Sequence, residues 1–231
     1  MSQPDSSHNN VFDRSVIPSY PHISLIPNIP DDSTLVQCWK YEYRRTAQQI
    51  LSNIWLGPMS VTRNSLFLAE SNIKKLICVT NFSVWSIMPQ KLISGISHDG
   101  FPISSPHDLM NIFPQVNLLI DQAIQNEEPA LIYCESGNEY GAAVIIAYLM
   151  ERNNWDISMA FQFVHSRRFS ITLTDAIGFQ VQTYQSIYKA RRDVFEAGSR
   201  NRMRRMRYEE EEEEEKNLTG EREGVAPFQD F

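Results

Sequence analysis

The chain of 231 residues has only three cysteines, Cys38, Cys78 and Cys134, widely spaced and without a CxxC pair. Neither a disulfide framework nor a structural zinc site is expected from them. Long apolar runs are also missing: none approaches the ~18 residues that a bilayer crossing requires, which argues against a membrane protein. The start, MSQPDSSHNNVFDRS, has neither a basic stretch followed by an apolar one nor an Arg-rich amphipathic pattern. No export or mitochondrial signal is read there, so the expected location is the cytoplasm or the nucleus. An excess of basic residues is lacking too. With 28 acidic against 21 basic side chains the net charge is -7, which disfavours a nucleic-acid partner because phosphate contacts need clustered cations. There is no internal repeat and no cluster of His, Cys, Asp and Glu at metal-ligand spacing, so no metal and no cofactor are expected.

What is present suits one compact domain of roughly 150 residues with tails. Hydrophobic residues make up 42% of the chain and aromatics 11%, enough for one sizeable core. Residues 1–38 are rich in Pro, Ser, Asn and Asp, and Pro4, Pro18, Pro21, Pro27 and Pro30 interrupt any helix or central strand. They read as a flexible arm whose apolar points, Phe12, Tyr20 and Ile23 to Ile26, could dock in extended form. At the other end Arg200, Arg202, Arg204, Arg205 and Arg207 precede the glutamate run Glu209 to Glu215. Such sign blocks cannot bury apolar surface, so 199–231 reads as a solvated, disordered tail, or as a helix end neutralised by the adjacent glutamates. An import or acidic-partner patch is the alternative reading of its arginines. The folded domain is then 39–198.

Within it, strand-like and helix-like stretches alternate. Asn53 to Leu56 is a short strand stopped at Gly57-Pro58, residues 62–71 suit a helix, and Lys75 to Thr80 is a buried-strand run. Leu109 to Gln125 carries Leu109, Ile112, Phe113, Val116, Leu119, Ile120, Ala123 and Ile124 at helical spacing. Ala130 to Tyr133 is a strand, and residues 142–151 form a helix apolar on all sides. Two more helices are expected from Asp156 to about Arg167 and from Thr174 to about Glu196. The pattern predicts an α/β fold, a central mostly parallel sheet flanked by helices.

The segment LIYCESGNEYGAAVIIAYLM, residues 131–150, holds the chemistry. A strand ends, a cysteine sits at its exit, a turn holds Gly137 and Gly141, and an apolar helix begins. Backbone N–H groups and a helix N-terminus converge in such a turn, which attracts anions and lowers the pKa of a cysteine placed there. The segment resembles the signature of the cysteine-dependent protein phosphatases of the dual-specificity branch: His-Cys, two residues, Gly, two residues, Arg, then Ser or Thr. The similarity runs roughly from Trp39 to Glu196, through YEYRRTAQQILSNIWLGP, NIFPQVNLLIDQAI, SMAFQFVHSRRF and GFQVQTYQSIY. Taken together these segments most resemble the serine/threonine/tyrosine-interacting (STYX) pseudophosphatases.

The departures from that signature bear on function. Under the resemblance Cys134 matches the nucleophile and Gly137 the loop glycine, and Glu135, Ser136, Asn138 and Glu139 complete a degenerate phosphate loop. Tyr140 stands where the family has the arginine that clamps phosphoryl oxygens, and one uncharged hydroxyl cannot replace a planar cationic fork. Tyr133 replaces the histidine that helps to set the thiolate, and Gly141 the hydroxyl that assists breakdown of the intermediate. Counting back from Asp121, the general-acid aspartate falls on Ile103, which has no proton to give. Asp99 and Asp108 are the nearby acids, neither in the matching position. Glu135 and Glu139 place negative charge where a phosphate dianion would bind and oppose ionisation of Cys134. The expectation is a catalytically inactive site.

Other residues keep two readings. Arg167 and Arg168, in the family's Arg-Arg-Phe run, either steer an acidic or phosphorylated partner or cap and pack a helix end. Tyr133, Tyr140 and Trp85 either floor an aromatic pocket or, in the case of Tyr140, fill the space of the absent arginine. His98, His107 and His165 read as solvated, and Cys78 as a buried strand residue. Three function classes follow. The first, implied by the resemblance, is an interaction module whose partner is a protein: a phosphoprotein it shields, a kinase it anchors, or a ubiquitin-ligase adaptor it blocks. The second is an atypical phosphatase using Cys134 with Asp99 or Asp108. The third is another cysteine-loop chemistry such as sulfur transfer, which the phosphatase-like helices after residue 155 disfavour.

Overall fold

The computed structural model describes residues 39–87 and 95–220. The arm at 1–38, with Cys38, lies outside them. Five strands form one sheet: β1 (Gln48–Leu51), β2 (Ile54–Pro58), β3 (Lys75–Asn81), β4 (Ser97–Ile103) and β5 (Ala130–Cys134). Their order is β1-β2-β5-β3-β4, with β1 antiparallel to β2 and every other pairing parallel. The expected mostly parallel α/β sheet is present, and β5, which leads into the signature segment, runs between β2 and β3.

Strand side chains alternate between the two faces, and both faces are covered, as parallel strands require. On one face Ile77 and Val79 of β3 and Ala130 and Ile132 of β5 meet the helices α3 (Leu109–Gln125), α4 (Tyr140–Asn153), α5 (Ile157–Arg167) and the first turns of α6 (Asp175–Gly220). On the other face Leu76, Cys78, Leu131 and Tyr133 join Val61, Leu68 and Ile73, with Phe67 of α1 (Ser65–Glu70) and Trp85 of the single turn α2 (Phe82–Trp85) against them. Helix α4 is buried from Gly141 to Met150 because it sits at the centre of the helical layer. Its end is tied to α3 by Arg152, which donates to both carboxylate oxygens of Asp121, while Tyr148 donates to the same group.

Differences from the sequence expectations have local causes. The first strand of the domain, β1, hides in a polar stretch because it is a sheet edge with one half-exposed side. Strand β4 is an edge too, and its Asp, Gly and Pro residues disguise it. Its Gly100 is required by contact, since a Cβ there would run into the Trp85 ring. The last helix does not stop near Glu196 but continues through the segment expected to be a disordered tail, up to Gly220. Arginine and glutamate are strong helix formers, and every described side chain from Asp193 to Glu211 is exposed. The segment is solvated, as its composition suggested, but it is helical.

Candidate functional site

Pairing with the end of β2 sets the start of the loop: Tyr133 lies opposite Gly57 and Cys134 opposite Pro58. Gly137 has a φ of +72°, and a Cβ at this position would collide with the backbone of Gly57 and Pro58. Only glycine allows this combination of left-handed backbone and close approach. The chain then passes through Glu139, whose C=O accepts from Ala143 N–H at 2.8 Å, into α4. Cys134 is 2% exposed. A Cβ at Gly141 would stand 3.7 Å from its sulfur and 2.9 Å from Leu56 Cδ1. A hydroxyl at 141 would therefore have the sulfur within reach, and glycine supplies none.

Tyr140 is half-buried, and its hydroxyl pKa is raised, first by burial and then by Glu139, Glu135, Cys134 and Asp108. The position expected to hold a cation thus lies in a negative field. Glu135 is oriented by Thr80, whose hydroxyl donates to Oε1 at 3.4 Å.

Arg168 is the main correction. Of its two readings, steering a partner from the surface or packing and capping a helix end, the surface one fails, because the residue is fully buried. Its guanidinium donates to Gly137 O (2.8 Å), Ser136 O (3.3 Å) and Asn138 Oδ1 (3.1 Å) of the loop, and to Thr46 O (2.9 Å), Arg44 O (3.0 Å) and Gln48 Oε1 near β1. Burial lowers its pKa to about 10. Five donors in a rigid fork suit a task of this kind. The loop is fixed from behind by its own carbonyls, and Ser170 Oγ adds a bond to Asn138 Oδ1 at 2.8 Å. Arg167 turns back onto its own helix, with its guanidinium 3.6 Å from the Phe163 ring centre and donating to Phe163 O and Ser166 Oγ. Packing and capping describe this residue.

Ile103 does not face the loop. It is the last residue of β4, fully buried in the core with the helices, on the same strand face as Phe101. The chain leaves the strand only in the next segment, residues 104–108. The count back from Asp121 thus ends inside the strand, short of the loop. Asp108 accepts from Ser104 N–H (2.8 Å) and Ser105 N–H (2.9 Å), which hold its carboxyl below the usual carboxylate range. It is ionised at neutral pH and has no proton to donate. Asp99 is turned toward Lys75, at 3.6 Å.

Tyr133 points to the sheet face opposite Cys134. Its hydroxyl is 2.8 Å from His98 Nε2, and the two rings stack with centroids 6.0 Å apart. His98 is therefore not a solvated loop residue, and Trp85 lies 6.0 Å from it. The proposed aromatic floor does not form, because Tyr133 and Trp85 are on one side of the sheet and Tyr140 is packed on the other. Burial raises the Cys78 thiol to about 12, in keeping with a packing residue. His107 is exposed as expected, whereas His165 is wedged between Phe161 and Phe169. For Arg168 the sequence reading held the packing alternative but not the acceptors it reaches, and the role of His98 escaped it. The alternation of Ile96, His98 and Gly100 against Phe101 and Ile103 was the available sign for the second.

A family profile for the dual specificity phosphatase catalytic domain matches residues 54–187. The human serine/threonine/tyrosine-interacting protein is 30% identical over 170 residues, covering 71% of this chain and 76% of its own length, and the mouse protein gives the same figures. Dual specificity protein phosphatase 1B of Arabidopsis thaliana is 26% identical over 137 residues. The crystal structure of human tyrosine phosphatase-like serine/threonine/tyrosine-interacting protein superposes with a TM-score of 0.58 at 26% identity, covering 62% of this chain and 98% of the other. The chain belongs to the dual-specificity phosphatase family and is a relative of the serine/threonine/tyrosine-interacting proteins within it.

Proposed function

We propose that this protein is a non-catalytic member of the family, a pseudophosphatase that acts by binding a signalling or ubiquitin-pathway protein. One observation carries the reading: Tyr140 stands in the place of the phosphate-clamping arginine, in a loop that itself carries Glu135 and Glu139. Such a field repels a phosphate dianion and leaves only backbone N–H groups to stabilise a transition state, so a rate loss of several orders of magnitude follows. Gly141 and the ionised Asp108 remove the hydroxyl and the acid as well. The inward clamp of Arg168 supports the same reading, because it preserves the loop's shape without a bound anion. The relatives carry a name that speaks of interaction, which agrees with a binding role.

The partner surface in this proposal is independent of phosphate. Beside the clamp, Tyr41, Tyr43 and Phe169 are exposed apolar rings, and Trp39 packs against Tyr43 and Phe169. The test is a calorimetric titration with phosphotyrosine and phosphothreonine peptides, with released phosphate assayed in the same cell. Neither release nor binding is expected. Release that disappears in Cys134→Ser would overturn the proposal, and binding without release would move the partner site to the loop.

A further inference from the structure

Helix α6 leaves the domain after Tyr188, its last buried residue, and continues to Gly220, a further ~48 Å at 1.5 Å per residue. This extension carries Arg200, Arg202, Arg204, Arg205 and Arg207, then Tyr208, then Glu209 to Glu215. Residues three or four apart on a helix are neighbours, and like charges at that spacing repel. Arg200 and Arg204, Arg202 and Arg205, and Arg204 and Arg207 are such neighbours. Glu209 and Glu213, Glu210 and Glu214, and Glu211 and Glu215 are others. Opposite signs meet across the junction, as Arg205 with Glu209 and Arg207 with Glu211, and outside the two blocks, as Arg192 with Glu196. Within each of the two blocks, like charges repel.

A second copy running the other way removes this conflict. Helical spacing puts positions 201, 204, 205, 208, 211, 212 and 215 on one face. With a two-fold axis through Tyr208, position 204 of one copy stands opposite position 212 of the other and position 205 opposite position 211, arginine against glutamate in sequence, and the symmetry repeats both pairs. Tyr208, 60% exposed, meets its counterpart on the axis. A parallel pair would set arginine against arginine and glutamate against glutamate, so the charges select the antiparallel, self-complementary arrangement. We infer that the exposed extension of α6 is a homodimerisation element in which the Arg204–Arg205 and Glu211–Glu212 blocks of two chains pair antiparallel about Tyr208.

The full-length protein tests this by sedimentation equilibrium. The wild type is expected to dimerise at low salt and to dissociate at least tenfold more readily at ~0.5 M salt, where charge interactions are screened within a few ångströms. Two charge variants are decisive. One carries Arg204→Glu and Arg205→Glu, so that all four positions are acidic; the other carries Glu211→Arg and Glu212→Arg, so that all four are basic. Each alone is expected to be monomeric with the helix content of the wild type by circular dichroism, and the equimolar mixture to form a one-to-one heterodimer. A wild type that stays monomeric up to about 100 µM would overturn the inference, as would a dimer indifferent to either variant or a mixture that does not associate. A monomer that binds an added acidic or basic peptide through this helix would assign it to another partner and equally overturn self-pairing.

Discussion

Removal of the Arg168 guanidinium is the most direct probe of the loop's construction. Its acceptors fall into two groups. Arg44 O, Thr46 O, Gln48 Oε1 and Ser136 O belong to residues that water can reach, whereas Gly137 and Asn138 are buried. In Arg168→Ala the first group is re-solvated at little cost, but Gly137 O and Asn138 Oδ1 lose a charged donor inside the protein. A stranded buried acceptor costs about 1–3 kcal/mol. Asn138 Oδ1 keeps the Ser170 hydroxyl, so the two together come to about 3 kcal/mol, to which the vacated space adds. Against this stands relief of the burial of a cation whose six acceptors include no carboxylate. A net destabilisation of about 3 kcal/mol is expected, equivalent to roughly 6–12 °C in Tm for a domain of this size. Arg168→Lys keeps the charge without the fork and should recover less than half of the loss. Urea unfolding followed by tryptophan fluorescence measures the stability, and amide exchange at residues 137–140 reports whether the loop loosens first. If Arg168→Ala unfolds within ~0.5 kcal/mol of the wild type while partner binding is lost, the buried-clamp account is wrong and a surface role is right.

Three further outcomes follow. Tyr140→Arg alone should produce no phosphate release from a phosphotyrosine peptide, because Glu135 and Glu139 remain in the loop, Asp108 stays ionised and Gly141 offers no hydroxyl; measurable turnover would show that the carboxylates matter less than argued. Gly137→Ala should cost more than about 3 kcal/mol or prevent folding, since it combines a left-handed backbone with a backbone collision, and a variant of unchanged midpoint would contradict the geometry. Burial holds His98 below the ordinary histidine value of 6.5, so the unfolded chain takes up this proton first as the pH falls. The stability due to neutral His98 is complete above pH 6.5 and declines below it; His98→Gln should flatten that part of the stability profile between pH 6.5 and 5, and an unchanged slope would exclude His98 as its source.

The legible parts of the fold were those in which hydrophobic pattern and burial coincide. Strand β3, helix α3 and the β5-to-α4 unit could be read because Ile77, Val79, Ile112, Val116 and Ile132 mark their elements by period and by burial at once. Strand β4 was hidden because its sequence, SHDGFPI, places a histidine and a glycine on the face that Trp85 covers. The extension of α6 was hidden for the opposite reason, as it is held by backbone propensity and leaves no apolar stripe to detect. At the site, the signature positions Cys134, Gly137, Tyr140 and Gly141 were visible in the chain, but the direction of a side chain was not. Two adjacent arginines look alike in sequence, yet one lies on its own helix and the other runs through the interior to the loop. Ile103 shows the same limit, because counting along a chain cannot tell the last residue of a strand from the first residue of the loop beyond it.

Because the loop is anchored through main-chain oxygens and the Asn138 amide, its course depends little on which side chains occupy its outer rim. Positions 135 and 139 can therefore drift, acquire new chemistry or be replaced by design while the backbone underneath keeps its path, whereas Ser136, whose hydroxyl accepts from Asn138 N–H at 3.2 Å, and Tyr140, packed against the core, are tied to it. A scaffold of this kind is suited to presenting foreign short sequences on a rigid turn, with Arg168 as the residue to leave untouched.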